Sequence, residues 1–272
     1  MGGREVAVLT VVLTLALAGC SAASGTAPAG RAALVPAAPP EDGIVAPGAV
    51  PPEGVPSAQD PPLTAQPPVP VPVRVPAQHS GQVVSRIPTR QRVVFLGVDD
   101  GYVRSHWLLV LEQQRHLPYT VFLTNAAWRQ NPGYWRQLQA AGVRIEDHTL
   151  THPQLTGLRA AVIYRQICVA AAQDATTFGH RPLLFRPPYG ASNALVRREA
   201  ARCGMRAVVQ WNVTVNHGAL QYTGGRRHLQ PGDIVLMHFR PEIQQDMTAF
   251  LRQAATDGLA VGRLEDYLTP RV

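Results

Sequence analysis

Val93-Val94-Phe95-Leu96-Gly97-Val98-Asp99-Asp100-Gly101 reads as a buried strand that stops at two carboxylates and a turn. An apolar run of this length, rich in β-branched and aromatic side chains, suits a strand covered on both faces, as in a parallel sheet. Runs of the same kind recur at 120–123, 143–145, 183–185, 207–211 and 234–237. The stretches between them carry helix punctuation. Asn131-Pro132 is a cap followed by proline at the first helical position, and Gly142 closes that helix. Gly204 closes a helix that begins near Asn193, and Gly258 closes one that begins near Pro241. Strand and helix in alternation predict an α/β domain with a largely parallel sheet.

Polar clusters follow the strand runs. Asp99-Asp100 ends the first, His148-Thr149-Leu150-Thr151-His152 follows the third, Arg186-Pro187-Pro188-Tyr189-Gly190 follows the fourth, and His238 ends the last. In parallel α/β barrels ligands bind at the carboxyl ends of the strands, so these clusters are expected to converge on one site. Histidines at i and i+4 are expected to point the same way from one helical turn. A carboxylate from the Asp99-Asp100 pair completes a two-histidine, one-carboxylate metal set with positions open for water, and leaves the other aspartate free as a base. Zinc is the metal these ligand types prefer, with cobalt, nickel or iron also compatible.

Over residues 91 to 268 these motifs resemble those of the polysaccharide deacetylases, carbohydrate esterase family four, with the NodB homology domain. The family's Thr-Phe-Asp-Asp-Gly appears as Gly97-Val98-Asp99-Asp100-Gly101, and its His-Ser/Thr-x-x-His as 148–152. Its Arg-x-Pro-Tyr appears as Arg186-Pro187-Pro188-Tyr189, and its Leu-x-His as Leu236-Met237-His238. The resemblance implies a distorted (β/α) barrel of about seven strands that removes N-acetyl groups from a polymeric amino sugar. It implies that Asp99 is the general base, that Asp100, His148 and His152 hold zinc, and that Arg186 orients Asp99. It further assigns the Tyr189 backbone N–H to the developing oxyanion, His238 to the general acid, Leu236 to the pocket for the acetyl methyl and Trp211 to substrate binding.

The fourth family motif is not matched. A tryptophan, an aspartate three residues on and then a second aspartate are expected; the chain reads Trp211-Asn212-Val213-Thr214-Val215-Asn216-His217-Gly218, with Thr214 and His217 where acids belong. The resemblance gives that acid the task of hydrogen-bonding the catalytic histidine, so His238 is expected to titrate lower than its counterparts. Glu146 and Asp147 are candidates to replace it or to support the metal ligands, or are simply solvated. The segment holding His217, Tyr222, Arg226-Arg227 and His228 reads either as a specificity loop overhanging the strand ends or as a mobile surface loop.

Residues 5–19 form an apolar run ending in Leu17-Ala18-Gly19-Cys20, too short for a membrane span of about 20 residues. It reads as a secretion signal. Leu-Ala-Gly-Cys resembles the lipobox of bacterial lipoproteins, which makes Cys20 the lipidated amino terminus; the alternative is an ordinary signal peptide cut nearby. Fifteen of the 25 prolines fall in 28–76, which excludes a packed core there and predicts a semi-rigid polyproline spacer. The expected organisation is a signal at 1–19, a spacer at 20–90 and a catalytic domain at 91–272, anchored to the outer face of the cell membrane and working in the wall.

Net charge is +7, every cation is arginine, and residues 91–272 hold 20 Arg against 13 acids. A basic surface favours anionic wall polymers or phospholipid headgroups. An exported chain without aromatic-interleaved basic motifs is not a nucleic-acid binder, and no obligate protein partner is implied. Cys168 and Cys203 either pair, as an oxidising exterior allows, or remain buried thiols. Peptidoglycan is the expected substrate because anchor and spacer place the domain within the wall. The other readings are a non-catalytic wall glycan-binding protein on a degenerate deacetylase fold, and a metal-dependent deacylase of a different substrate.

Overall fold

The computed structural model describes residues 66–72 and 81–268. The signal at 1–19, Cys20 and the spacer apart from 66–72 and 81–90 lie outside the described residues. The strands are β1 (Gln82–Val84), β2 (Val93–Asp100), β3 (Thr120–Leu123), β4 (Arg144–Asp147), β5 (Leu184–Phe185), β6 (Ala207–Val209), β7 (Val213–Asn216), β8 (Ala219–Tyr222), β9 (Ile234–His238) and β10 (Ala260–Gly262). The helices are α1 (His106–Arg115), α2 (Asn125–Trp128), α3 (Pro132–Ala140), α4 (Ala160–Tyr164), α5 (Ala170–Phe178), α6 (Ala194–Arg202), α7 (Ile243–Thr256) and α8 (Leu264–Leu268). One curled sheet runs in the order β1-β6-β5-β4-β3-β2-β9-β7-β8, with β10 beside the start of β2. Its strand pairings are parallel except for the β7–β8 hairpin.

Period-two alternation sorts the side chains into two cores. Phe95, Phe122, Leu184, Ala207 and Ile234 pack inside the barrel, where Leu264 and Tyr267 of α8 join them. Val94, Leu96, Val98, Val121, Val235 and Met237 face outward onto the apolar sides of α1, α3 and α7. The same alternation along β2 brings Gly97 and Asp99 to the inner face, so the strand that fills the barrel with phenylalanine lower down offers a carboxylate at its rim. The helix starts read from the sequence are real caps: Asn131 Oδ1 accepts from Tyr134 N–H at 3.2 Å and Asn193 Oδ1 from Val196 N–H at 3.0 Å.

Four strands lie outside the runs read from the sequence: β1, β7, β8 and β10. β1 pairs with β6, after which Arg86 bridges Asp233 and the Ile87 N–H donates to Gly232 O at 2.8 Å. Residues 81–90 are therefore a stave between β6 and the residues that precede β9. A β-carbon at Gly232 would lie 2.0 Å from Ile87 O, so this seam requires glycine. Further upstream, Gln91 Nε2 donates to Val69 O at 2.7 Å and Gln91 Oε1 accepts from Val71 N–H at 3.1 Å, which fastens that part of the proline-rich stretch to the domain.

Cys168 and Cys203 form a disulfide between the π-helical turn after α4 and the end of α6. Among the described residues no helix is long and apolar enough to cross a membrane.

Candidate active site

Asp99 is buried at the inner rim of β2, and its Oδ1 accepts from Arg186 Nη1 at 2.6 Å. Arg186 follows β5 and is fully buried, with its guanidinium carbon 4.1 Å from the Phe122 ring centre and 5.6 Å from that of Trp211. Burial presses the Arg186 pKa down, and the Asp99 carboxylate opposes that. Room for the guanidinium comes from Gly97, where a β-carbon would stand 2.6 Å from both terminal nitrogens. Sequence reasoning gave Gly97 no role; inward alternation two residues before Asp99 was the signal.

Asp100 and Gly101 leave the strand with φ of 79° and 95°, a turn fixed by Thr124 N–H donating to Asp100 O at 3.0 Å. This backbone reversal lifts the Asp100 carboxylate away from Asp99 and toward the 148–152 segment. Burial disfavours its ionisation, but the His148 and His152 rings beside it, when charged, outweigh burial and hold its pKa well below the ordinary range.

The 148–152 segment is not the helical turn its spacing suggests. Asp147 Oδ1 accepts from Thr149 N–H at 2.7 Å, Thr149 Oγ1 accepts from His152 N–H at 3.0 Å, and Thr149 and His152 take φ of 73° and 58°. A buried carboxylate and a hydroxyl supply the local bonds that a helix would otherwise make. The histidines still converge: His148 Nε2 and His152 Nε2 lie 3.4 and 3.2 Å from Asp100 Oδ1. Three ligand atoms, one each from Asp100, His148 and His152, lie within 4.8 Å of one another.

The donor set fits a divalent cation. His148 Nδ1 lies 2.7 Å from Arg186 O, and a backbone carbonyl can only accept, so Nδ1 carries the hydrogen. In the neutral ring Nε2 then offers a lone pair toward the Asp100 carboxylate. A lone pair facing a carboxylate in a buried site is the arrangement that a cation between them stabilises, and the carbonyl behind the ring fixes the tautomer.

His238 ends β9 directly opposite Asp99 in register. Among the described residues its imidazole makes no hydrogen bond or ion pair. Burial lowers its pKa; the charges of Asp99 and Asp100 act to raise it, while Arg240 acts to lower it. Leu236 lies on the same face two residues earlier and is buried. Tyr189, at φ 59°, is 68% exposed and its ring packs 4.8 Å from that of His152. Trp211 backs the turn between them, since a β-carbon at Gly190 would meet its ring at 2.8 Å. The predicted residues Asp99, Asp100, His148, His152, Arg186, Tyr189 and His238 are thus brought to one mouth.

The expected substitutes for the missing acid do not reach it. Glu146 accepts from the Leu183 and Leu184 N–H groups, both at 2.7 Å, and Asp147 holds the 148–152 turn. Neither is solvated: both are buried, and burial drives both carboxyls well above the usual range. Thr214 sits on β7 opposite Leu236, and His217 is in an exposed turn. Asn216 accepts from Arg240 Nη1 at 2.8 Å, which ties down the arginine whose charge reaches His238.

The 217–228 segment is not one overhanging loop: it opens as a hairpin and becomes irregular only after Gly225. His217 (φ 50°) and Gly218 (φ 72°) make a two-residue hairpin turn, and β8 carries the chain back down the barrel wall. Only that turn stands at the catalytic end; Arg226, Arg227 and His228 lie beyond Tyr222, which pairs with Val213 at the start of β7.

A family model described as polysaccharide deacetylase matches residues 86–208. An uncharacterized protein of Streptomyces coelicolor is 38% identical over 191 residues, 68% of this chain and 77% of that one. A peptidoglycan-N-acetylglucosamine deacetylase of Listeria monocytogenes is 30% identical over 162 residues, 57% of this chain; the match spans only 34% of the Listeria protein. Among solved structures, a family 4 carbohydrate esterase from Streptomyces lividans in complex with acetate is 30% identical with a TM-score of 0.53, covering 63% of this chain and 92% of that one.

Proposed function

We propose that this chain, which belongs to the polysaccharide deacetylase family, hydrolyses N-acetyl groups of a cell-envelope amino-sugar polymer, with peptidoglycan as the substrate. The observation that carries this reading is the 2.6 Å Arg186–Asp99 pair set beside the Asp100, His148 and His152 cluster. It joins a held base to a metal site in one barrel mouth. The similarity to the Listeria peptidoglycan deacetylase supports the choice of polymer.

Asp100, His148 and His152 would hold a divalent cation, zinc by ligand type, which supplies a Lewis acid beside the reacting amide. Asp99 takes a proton from the attacking water. Arg186 holds that carboxylate in place through the 2.6 Å bond from its Nη1 to Asp99 Oδ1. The Tyr189 N–H is assigned to the oxyanion, and Leu236 to the acetyl methyl. His238 passes its proton to the sugar nitrogen as the C–N bond breaks, so acetate and a free amine leave. A lipid anchor at Cys20 and export to the wall complete the proposal.

The test is acetate release from N-acetylglucosamine oligomers and from peptidoglycan. Release abolished by a chelator and restored by zinc supports the reading. A second reading, glycan binding without turnover, draws on the unpartnered His238: oligomer binding with no acetate released under any metal would establish it in place of the first.

A further inference from the structure

Charge in this fold is sorted by depth. Of the 13 acids in residues 91–272, Asp99, Glu112, Glu146, Asp147, Asp174, Glu199, Asp233, Asp246 and Glu265 are buried, while Arg186 is the one buried arginine among the described residues. The described surface therefore presents many more arginines than carboxylates. One concave part of that surface gathers the excess. Between β8 and α7 runs an open groove of about 550 Å³ lined by Leu220, Tyr222, Arg226, Arg227, Arg252 and Gln253, among others, and by no carboxylate.

Asp233, Asp246 and Asp257, which bond to residues of its lining, are already engaged. Asp233 is fully buried and bonded to Arg226 Nη1 at 2.8 Å and to Arg86. Asp257 accepts from His228, from the Leu229 N–H and from Gln253. Asp233 also fixes Arg226 against the groove wall, so that guanidinium is pre-positioned. Arg227 has no carboxylate partner among the described residues.

We propose that this groove binds a linear polyanion whose charges are phosphodiesters, a polyol-phosphate chain of the cell envelope, independently of the catalytic mouth. Guanidinium groups match phosphate oxygens in a planar, two-point geometry, and three of them along one trench suit a repeating phosphate better than a single anion. A bilayer is flat and cannot enter a trench between a hairpin and a helix. Single-stranded nucleic acid calls for a series of stacking aromatics, and the groove has Tyr222 alone. Bound there, the polymer holds the domain in the wall while the strand-end site stays open.

The experiment is calorimetric titration of the full chain with poly(glycerol phosphate). Binding is expected, weakening about tenfold or more between low and physiological salt as counterions are retained. Arg227→Ala/Arg252→Ala is expected to bind about tenfold more weakly, and Arg227→Ala alone, which removes no ion pair among the described residues, about threefold. A charge-matched control on another face, Arg136→Ala/Arg165→Ala, is expected to bind as the parent does. All variants should keep their acetate release from neutral oligomers, so failure of this proposal and failure of the deacetylase reading remain separate results. No binding by the parent, equal loss in the groove and control variants, or binding to phosphatidylglycerol vesicles without binding to the polymer would each overturn it.

Discussion

On the β2–β4–β5 side of the mouth each reactive group is held by another: Arg186 on Asp99, a carbonyl behind His148, Asp147 under the 148–152 turn. On the β9–β7 side the His238 imidazole meets no partner among the described residues, and the positions of the missing acid are occupied by Thr214 and His217. In the proposed reaction one half is preorganised to attack, while the other donates a proton from a histidine whose charged form burial disfavours. Preorganised groups cost nothing to reorganise as charge develops, so the first half should account for the larger share of rate.

Removing one group from each half breaks the comparison open. Asp99→Asn should lower kcat for acetate release about 10³-fold, with bound-metal content measured by elemental analysis unchanged. His238→Ala should cost less, about 10²-fold, because less is invested in that side. Equal losses would show the halves to be equivalent. Thr214→Asp sharpens the contrast from the other direction. A carboxylate beside His238 favours the imidazolium, so the alkaline limb of the pH–rate profile should move upward and activity near neutrality rise a fewfold. An unmoved limb would mean that position 214 does not communicate with His238.

The smallest expected effect lies below the mouth, where Glu265 accepts from Thr120 Oγ1 and its pKa is raised to about 7 by burial, with Glu146 pushed the same way. Between the unfolded value and about 7 the native state holds a proton that the unfolded chain has lost, so stability falls as pH rises through that window and levels off above it. Tm should drop from pH 5 to pH 8, and Glu265→Gln should flatten that slope, gaining roughly 5 °C at pH 8. A parallel slope in the variant would assign the pH dependence to other groups.

The parallel sheet and the strand-end placement of Asp99, Arg186 and His238 were legible because buried strands read as apolar runs and the chemistry stops each run. β1 was not legible: only Val84 of its three residues turns inward, and its partners lie far along the chain. The 148–152 segment was misread as helix because spacing alone cannot show that Asp147 is buried and caps Thr149. The hairpin at His217-Gly218 did leave a trace, a Gly after a four-residue alternating run, that turn chemistry could have used. Arg186's need for an empty side chain at Gly97 appears only when both are placed.

The Cys168–Cys203 bond encloses the segment that carries Arg186 and Tyr189. Closing a loop with a sequence separation of 35 restrains the unfolded chain by about 3–4 kcal/mol in the chain-entropy account. The redox history of a sample is therefore part of its identity: protein made in a reducing cytosol and protein made by an oxidising route share one sequence but should differ in how long the positioning arginine survives heat or protease.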